Sequence, residues 1–465
     1  MDNKTEIENG ATNPSGIISQ TIKEITQPFK DLFNSSRALW GINLSYLIEG
    51  ITYFGIVGLL AIYFNDYVGL NDIDAGQMVG FQTAGITIAM LVLGATVDIM
   101  GVRKSLLLSL FLMLAGRILL AYAPELSAAK GIWSNTHIVA MLGILGVIIG
   151  YGIYMPGCYA AVRIFTTEKT SAMGYAMLYA LMNLGGFLPG LISPPVRRAA
   201  GITGVFWVYV ALTVLGIFVI MFVLTKKAIN KALEENGNSE TNSPKNKEDE
   251  IPLKDKLISY IKRFPITDLR FMFFIFILIP VQTLFAHNWL TLPQYCERAY
   301  TGFVHDNFEF FVNFNPILIF ILTPAIAALT IKSNTYKMMI YGTTVMGLAP
   351  FLLAFGPNVF MLFGFIAVMT IGEAMWQPRF LQWVAEIAPK DMTGIYMGLG
   401  QFPWFLTKVV TSIYSGWFLM NYCPQDIPAA SMNTGSMWLI YGFISISSPI
   451  ALILARKWML KGFKT

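Results

Sequence analysis

Gly94-Ala-Thr-Val-Asp98-Ile-Met-Gly101-Val-Arg103-Lys104 is a short turn with three charges, set in a sequence that is otherwise strongly apolar. Glycine permits a tight reversal. Asp98, at a membrane edge, is placed to pair with Arg103 or to receive helix N-terminal amides. Arg103 and Lys104 hold the turn on the side of the membrane that collects positive charge. The plain alternative is an ordinary basic loop. Either reading needs membrane-spanning runs on both sides, and they are present at 75–100 and 104–123. Followed outward, the pattern gives further runs near 38–64, 136–161, 171–195, 203–225, 270–294, 307–331, 336–355, 358–386, 393–420 and 436–458, twelve in all. A crossing helix needs about 20 apolar residues. The 465 residues are 55% hydrophobic and only 13% charged, with a mean hydropathy of +0.58. A soluble protein of that composition would have little polar surface for water. Barrel strands would alternate polar and apolar residues, so the spans are read as helices.

Lysine and arginine set the expected orientation. With the N-terminus inside, the outer segments carry only Lys130, Arg197, Arg198 and Arg298, and the remaining loops and tails are basic. Both termini are therefore expected in the cytoplasm, the protein in the plasma (inner) membrane, and the net charge of +5 reads as topology rather than nucleic-acid binding. No signal peptide is expected in the polar first residues. Within 17–33, Ile18, Ile22, Ile25, Phe29 and Phe33 recur at helical spacing, which suggests a surface helix or, equally, an unstructured leader. The expected parts are a cytoplasmic leader (1–37), a six-helix bundle (38–225), a cytoplasmic linker (226–269), a second six-helix bundle (270–458) and a tail (459–465). The polar stretch 236–250 has almost nothing to bury. After it, Leu253, Leu257, Ile258, Ile261 and Phe264 form one apolar stripe among Lys254, Lys256, Lys262 and Arg263, a basic amphipathic helix suited to the inner leaflet. Three cysteines are too few for a disulfide framework, although Cys296 and Cys423 fall on the same expected side and leave a bridge open. No metal-ligand pattern or cofactor motif is found, and no nucleophile–base pair suggests an enzyme.

Six ionisable residues interrupt the apolar runs: Glu49, Arg117, His287, Glu373, Arg379 and Lys408. A charge at the bilayer centre costs roughly 2.5–3.5 kcal/mol on the gentler insertion scale. Each should therefore face the protein interior, a partner or a water-filled path. Arg117 reads as bracing or snorkelling, and Arg379 as lining the inner mouth. His287, with an ordinary pKa of about 6.5, titrates with little tuning, yet a satisfied interface imidazole is as good a reading.

The turn 94–104 resembles the major facilitator motif Gly-x-x-x-Asp-x-x-Gly-x-Arg-Lys, with Gly94, Asp98, Gly101, Arg103 and Lys104 in register. The corresponding loop of the second half, 331–337, lacks it. In that superfamily the substrate site lies between two bundles near the midplane. The fifth span, Tyr175-Ala-Met-Leu178-Tyr179-Ala-Leu-Met182-Asn183-Leu-Gly185-Gly186-Phe187, resembles the proton-dependent oligopeptide transporter signature Phe-Tyr-x-x-Ile-Asn-x-Gly-Ser, departing at Met182. Tyr179 and Asn183, four apart, share a helix face. Weaker likenesses run over most of 38–420: Glu49, Tyr53, Phe54 and Gly55 in the first span, Gly150, Gly152 and Pro156 in the fourth, Asn315-Pro316 in the eighth, Gly372-Glu373 and Pro378 in the tenth, and Trp404 in the eleventh. The departures are specific. Tyr46 stands for the family's first acidic residue, Gly50 for its arginine, Met155 for the fourth-helix lysine, and Phe285-Ala286-His287 for Phe-Glu-Gln.

The resemblance implies a secondary transporter of small polar solutes, short peptides or peptide-like compounds, coupled to protons. Its substrate contacts would come from Tyr53, Tyr179, Asn183, Asn315, Glu373 and Trp404, with Lys408 added for its depth. The proton carriers would be Glu49, His287 or Glu373. Glu373, in the position that receives a peptide amine, lies at a depth similar to Lys408, and the two either form a bracing ion pair or divide a substrate's two charges. Export of an amphipathic or aromatic compound and a non-transporting nutrient sensor are the alternatives; 14% aromatic content suits the first.

Overall fold

Ser36 accepts the amide of Leu39 and starts the first span, and Asn71, Ser134 and Asn334 cap later ones in the same way. Such caps satisfy donors that a helix start leaves open. The computed structural model describes residues 36–94, 96–166, 171–235, 268–330, 333–387, 399–400, 402–425 and 427–461, with residues 19, 22, 23 and 26. The stripe at 253–264 and most of 17–33 lie outside them.

The spanning helices are α1 (Arg37–Asp66), α2 (Asp72–Leu93), α3 (Val102–Leu126), α4 (Asn135–Phe165), α5 (Ser171–Phe187), α6 (Pro189–Phe222), α7 (Ile279–Leu290), α8 (Asn315–Leu329), α9 (Thr335–Leu348), α10 (Val359–Ile387), α11 (Phe402–Tyr422) and α12 (Thr434–Met459). No strand occurs among the described residues. Nine described stretches are long and apolar enough to cross a membrane. One of them, Met177–Phe222, holds two crossings: the fifth runs on into the start of α6, and the chain turns at Gly201 (φ 70°). Two further crossings are missed by that criterion. The ninth is interrupted at Ala349 before Pro350–Leu353, and α11 carries Lys408. The chain is thus the expected all-α, twelve-span integral membrane protein. The seventh span is also broken: Leu269–Ile277 precedes α7, with Leu278 between and Pro280 at the restart.

Helices α1–α6 and α7–α12 pack largely among themselves. The tightest seam is α3 on α4, where a Cβ added at Gly116 or Gly143 would strike the other helix's backbone. Between lipid-facing helices, where the hydrophobic effect gives no drive, close approach through small residues supplies the packing. The two halves meet through α2 on α11 and α5 on α8. One end of the molecule, the linker end, carries Arg37, Lys226–Glu235 and Lys461. The far end carries Asp66, Lys130 and Arg298.

Candidate functional site

The turn 94–104 sits at the linker end. Gly101 takes φ 76° and starts α3, the reversal that glycine was expected to provide. Arg103 donates to Met221 O of α6 at 3.3 Å, and Lys104 is exposed. The Asp98 side chain lies outside the described part.

Deeper in the first half, Glu49 of α1 is buried and held by Arg117 of α3. Both guanidinium nitrogens Nη1 and Nη2 donate to the carboxylate, and Nη1 also donates to Thr213 Oγ1 of α6 at 2.6 Å. Thr213 donates on to Tyr209 O. Arg117 therefore fastens α1, α3 and α6 together. A forked, hydrogen-bonded pair of this kind answers both charges internally. Tyr151 of α4 lies beside this pair, its buried hydroxyl without a hydrogen-bond partner, and its ring is 4.9 Å from that of half-buried Tyr53. Tyr46, in place of a carboxylate, stacks on Tyr154, whose hydroxyl meets Ser45 at 2.8 Å. Tyrosines occupy this part of the half where the resembled pattern puts charges.

The second half differs. Glu373, roughly 20 Å along α10 from Val359, accepts from Asn315 Nδ2 of α8 at 2.9 Å. Asn315 donates equally to Thr370 Oγ1. No cation is at ion-pair distance from Glu373 among the described residues. Across the interface from α5, Tyr179 is near enough to feel the Glu373 charge and reaches toward Thr323. Asn183 donates to the Tyr179 carbonyl at 2.9 Å, one turn back on its own helix. Gly186 of α5 rests against Pro316 of α8, where a Cβ would press on the proline ring. Asn315, Glu373, Tyr179 and Asn183 thus gather around one stretch of the α5–α8 seam.

Of the two readings of Glu373 and Lys408, the ion pair does not occur among the described residues. Lys408 is half-buried and makes no hydrogen bond or ion pair to any described residue. Trp404, Lys408 and Ser412 follow at four-residue steps along α11. Ser412 meets Gly80 of α2, so at that level the helix faces the first half. Trp404 is also half-buried, its ring 4.9 Å from Phe285 of α7. Nearby, Thr407 donates to Gln282 Oε1, and Gln282 Nε2 is buried without a partner.

His287 is fully buried. Nδ1 meets Thr291 Oγ1 at 2.8 Å, Nε2 meets the Tyr414 hydroxyl at 3.0 Å, and the ring stacks on Tyr441. Two hydroxyls saturate a neutral imidazole, one accepting and one donating. Arg379 lies toward the linker end and donates to Thr330 O at 2.8 Å, closing the end of α8. Cys296 and Cys423 are both buried and both free thiols, so the bridge left open above is not formed.

The far end carries a set of contacts that the sequence reading missed. Arg298 Nη1 and Nη2 donate to Asp72 Oδ2 and Oδ1 at 2.8 and 2.7 Å. Arg197 Nε and Nη2 donate to Glu309 Oε1 and Oε2 at 2.5 and 3.1 Å. Arg198 donates to Asp306 O and Asn307 Oδ1, and Gln425 to Asp66 Oδ1. Every one of these joins the first half to the second. Among the described residues, both ion pairs between the halves lie at this end. A Cβ at Gly416 of α11 would overlap the Asp72 backbone, so the helices touch there as well. Burial holds the Glu297 carboxyl up, at about 7; Asp66 and Glu309 add to this, and Arg298 and Arg197 oppose it. A signal existed in the sequence: acids at the starts of far-end helices, opposite the few far-end arginines.

A family model described as Major Facilitator Superfamily matches residues 42–412. No curated protein matches the chain. Among solved structures, a peptide transporter POT in complex with sulfate superposes with a TM-score of 0.68 at 16% identity, over 91% of this chain and 95% of that one. A POT family transporter in complex with 5-aminolevulinic acid gives 0.65 at 17% identity, over 91% and 97%. The POT family transporter PepTSo gives 0.66 at 14% identity, over 92% and 99%. At these identities the likeness is one of fold.

Proposed function

The chain belongs to the Major Facilitator Superfamily, and from that premise we propose that it is a proton-coupled secondary transporter of a small polar solute, a short peptide or a peptide-like compound. Helices of this fold rock about a midplane site between bundles. One observation carries the reading: Glu373 is buried at mid-depth with a neutral amide as its hydrogen-bond donor and, among the described residues, no cation beside it. A carboxylate so placed has room in its coordination for a substrate amine. Lys408, on another helix and free of Glu373, supplies the opposite charge. A solute with an amine at one end and a carboxylate at the other meets both without the two first having to be parted.

The proton and the amine compete for the same carboxylate in this scheme. Glu373 carries a proton when the amine is absent and gives it up when the amine binds. Glu49 and His287 are less suited to the work. Arg117 already answers the charge of Glu49, and two hydroxyls already occupy the ring nitrogens of His287. Tyr179, Asn183 and Trp404 would line the path, and Tyr53 and Tyr151 would meet the solute from the first half. The far-end contacts would close one side of the membrane, the outer side if the termini are cytoplasmic.

Uptake of radiolabelled dipeptides into proteoliposomes under an imposed proton gradient tests the proposal. Glu373→Gln should abolish gradient-driven uptake while the protein still folds. Lys408→Met should weaken uptake on its own account. The double variant should be as inactive as Glu373→Gln, because the two side chains are not paired. Recovery of transport in the double variant would restore the bracing-pair reading, and no uptake across a broad peptide panel would sink the peptide substrate.

A further inference from the structure

Away from the seam between halves, a groove of about 180 Å³ opens on the outside of the first bundle at the far end, between α2 and α4. Phe81, Met141, Leu142 and Leu145 line it, and Trp133 and His137 form its head. Phe81, Leu142 and Leu145 are 42%, 53% and 43% exposed on spanning helices, so this face meets hydrocarbon. His137 lies in the first turn of α4, and Trp133, 75% exposed, precedes it. Both are at the level where a bilayer changes from acyl chain to headgroup, the depth at which tryptophan collects.

The chemistry at the head is specific. Trp133 has φ 63°, the one positive value among described non-glycine residues, a conformation rare for a bulky side chain. In that conformation its amide donates to His137 Nδ1 at 3.1 Å. An amide only donates, so Nδ1 is the acceptor and the proton of the neutral ring sits on Nε2. His137 is 3% exposed, yet Nε2 has no hydrogen-bond partner. The edges of Phe64 and Trp133 flank the ring, and Asp74 acts on it only through space. A buried donor without an acceptor is costly, and here it stands at the head of an apolar groove.

We infer that this groove is a binding site for one glycerophospholipid, whose acyl chain lies along Phe81, Leu142 and Leu145 and whose ester carbonyl accepts from His137 Nε2–H. The ester carbonyls are acceptors at the required depth, and the ring offers a donor and nothing else. The strained Trp133 backbone fixes the tautomer that makes it one.

Native mass spectrometry of the full chain in a gentle detergent tests this, with two added lipids of identical headgroup and chains, one ester-linked and one ether-linked. The wild-type protein should retain the ester lipid about three- to ten-fold better, the effect of one hydrogen bond. His137→Phe should bring the ester lipid down to the ether level. Leu142→Trp, which fills the groove without touching the ring, should lower retention of both, and it decides the matter if His137→Phe fails to fold. Equal retention of ester and ether lipids by the wild-type protein overturns the site. So does displacement of both by a sterol, which would make a hydroxyl the acceptor.

Discussion

Glu49 and Glu373 are the same side chain, buried at 1% and 7% exposure in the two halves of one molecule, yet their surroundings are opposites. Glu49 is gripped by a guanidinium that also reaches Thr213, so its charge is answered before any solute arrives. Glu373 has the amide of Asn315 and faces a tyrosine across the seam. A buried carboxylate is therefore no evidence of a transport site in itself. What distinguishes the two is whether the protein supplies the counter-charge or leaves it to be supplied from outside.

The sharpest way to break the comparison is at Arg117. Arg117→Met strands the Glu49 charge, and loss of one member of a buried pair costs about 3–5 kcal/mol. A large fall in the melting temperature of the purified protein is expected, with most of it regained in Glu49→Gln/Arg117→Met. If Arg117→Met is as stable as the parent, Glu49 is not held as described. A smaller effect is expected at Asn315. Hydrogen bonds to charged groups are worth about 1.5–3 kcal/mol and neutral ones roughly half that. In the proposed scheme Glu373 is protonated while no solute is bound, so Asn315→Val should cost about the same in a Glu373→Gln background as alone, as read from a double-mutant cycle on thermal stability; a clearly larger cost in the parent background would mean that Glu373 is charged in the resting protein.

The smallest effect concerns a third acid, Glu297, which lies between the two extremes because both signs of charge surround it. Its carboxyl is raised from 4.5 to about 7, chiefly by burial. The folded state thus holds a proton that the unfolded chain has released between those values, and stability falls as pH rises through that window. Melting temperature should drop from about pH 5 to pH 7 and level off above it. Glu297→Gln should flatten that slope, and an unchanged slope would assign it to other groups.

The spans and the turn at Gly101 were legible because each rests on local composition or on one residue's backbone freedom. Pairing was not. Glu49 and Arg117 are 68 positions apart on helices whose rotation no sequence period fixes. The sequence left open, for the same reason, whether Glu373 and Lys408 pair. Helices α10 and α11 follow one another in sequence, but Ser412, one turn past Lys408, meets α2. Arg197 and Arg298 read as topology signals, and their second role depends on a contact between halves that sequence spacing does not contain. Tyr46, which stands where a carboxylate was expected, was visible as a departure, but its stacking on Tyr154 was not.

The far-end contacts also bear on how tightly a solute is held, and from which side. Asp72–Arg298 and Glu309–Arg197 both span the two halves and both favour the arrangement seen here. If the chain transports a solute as proposed, one approaching from the far end meets a binding-competent molecule only in the fraction of time that these forks are parted. Its apparent dissociation constant rises by the inverse of that fraction. The same seam would then show unequal affinities on the two faces of a membrane, with no difference in the residues that touch the solute.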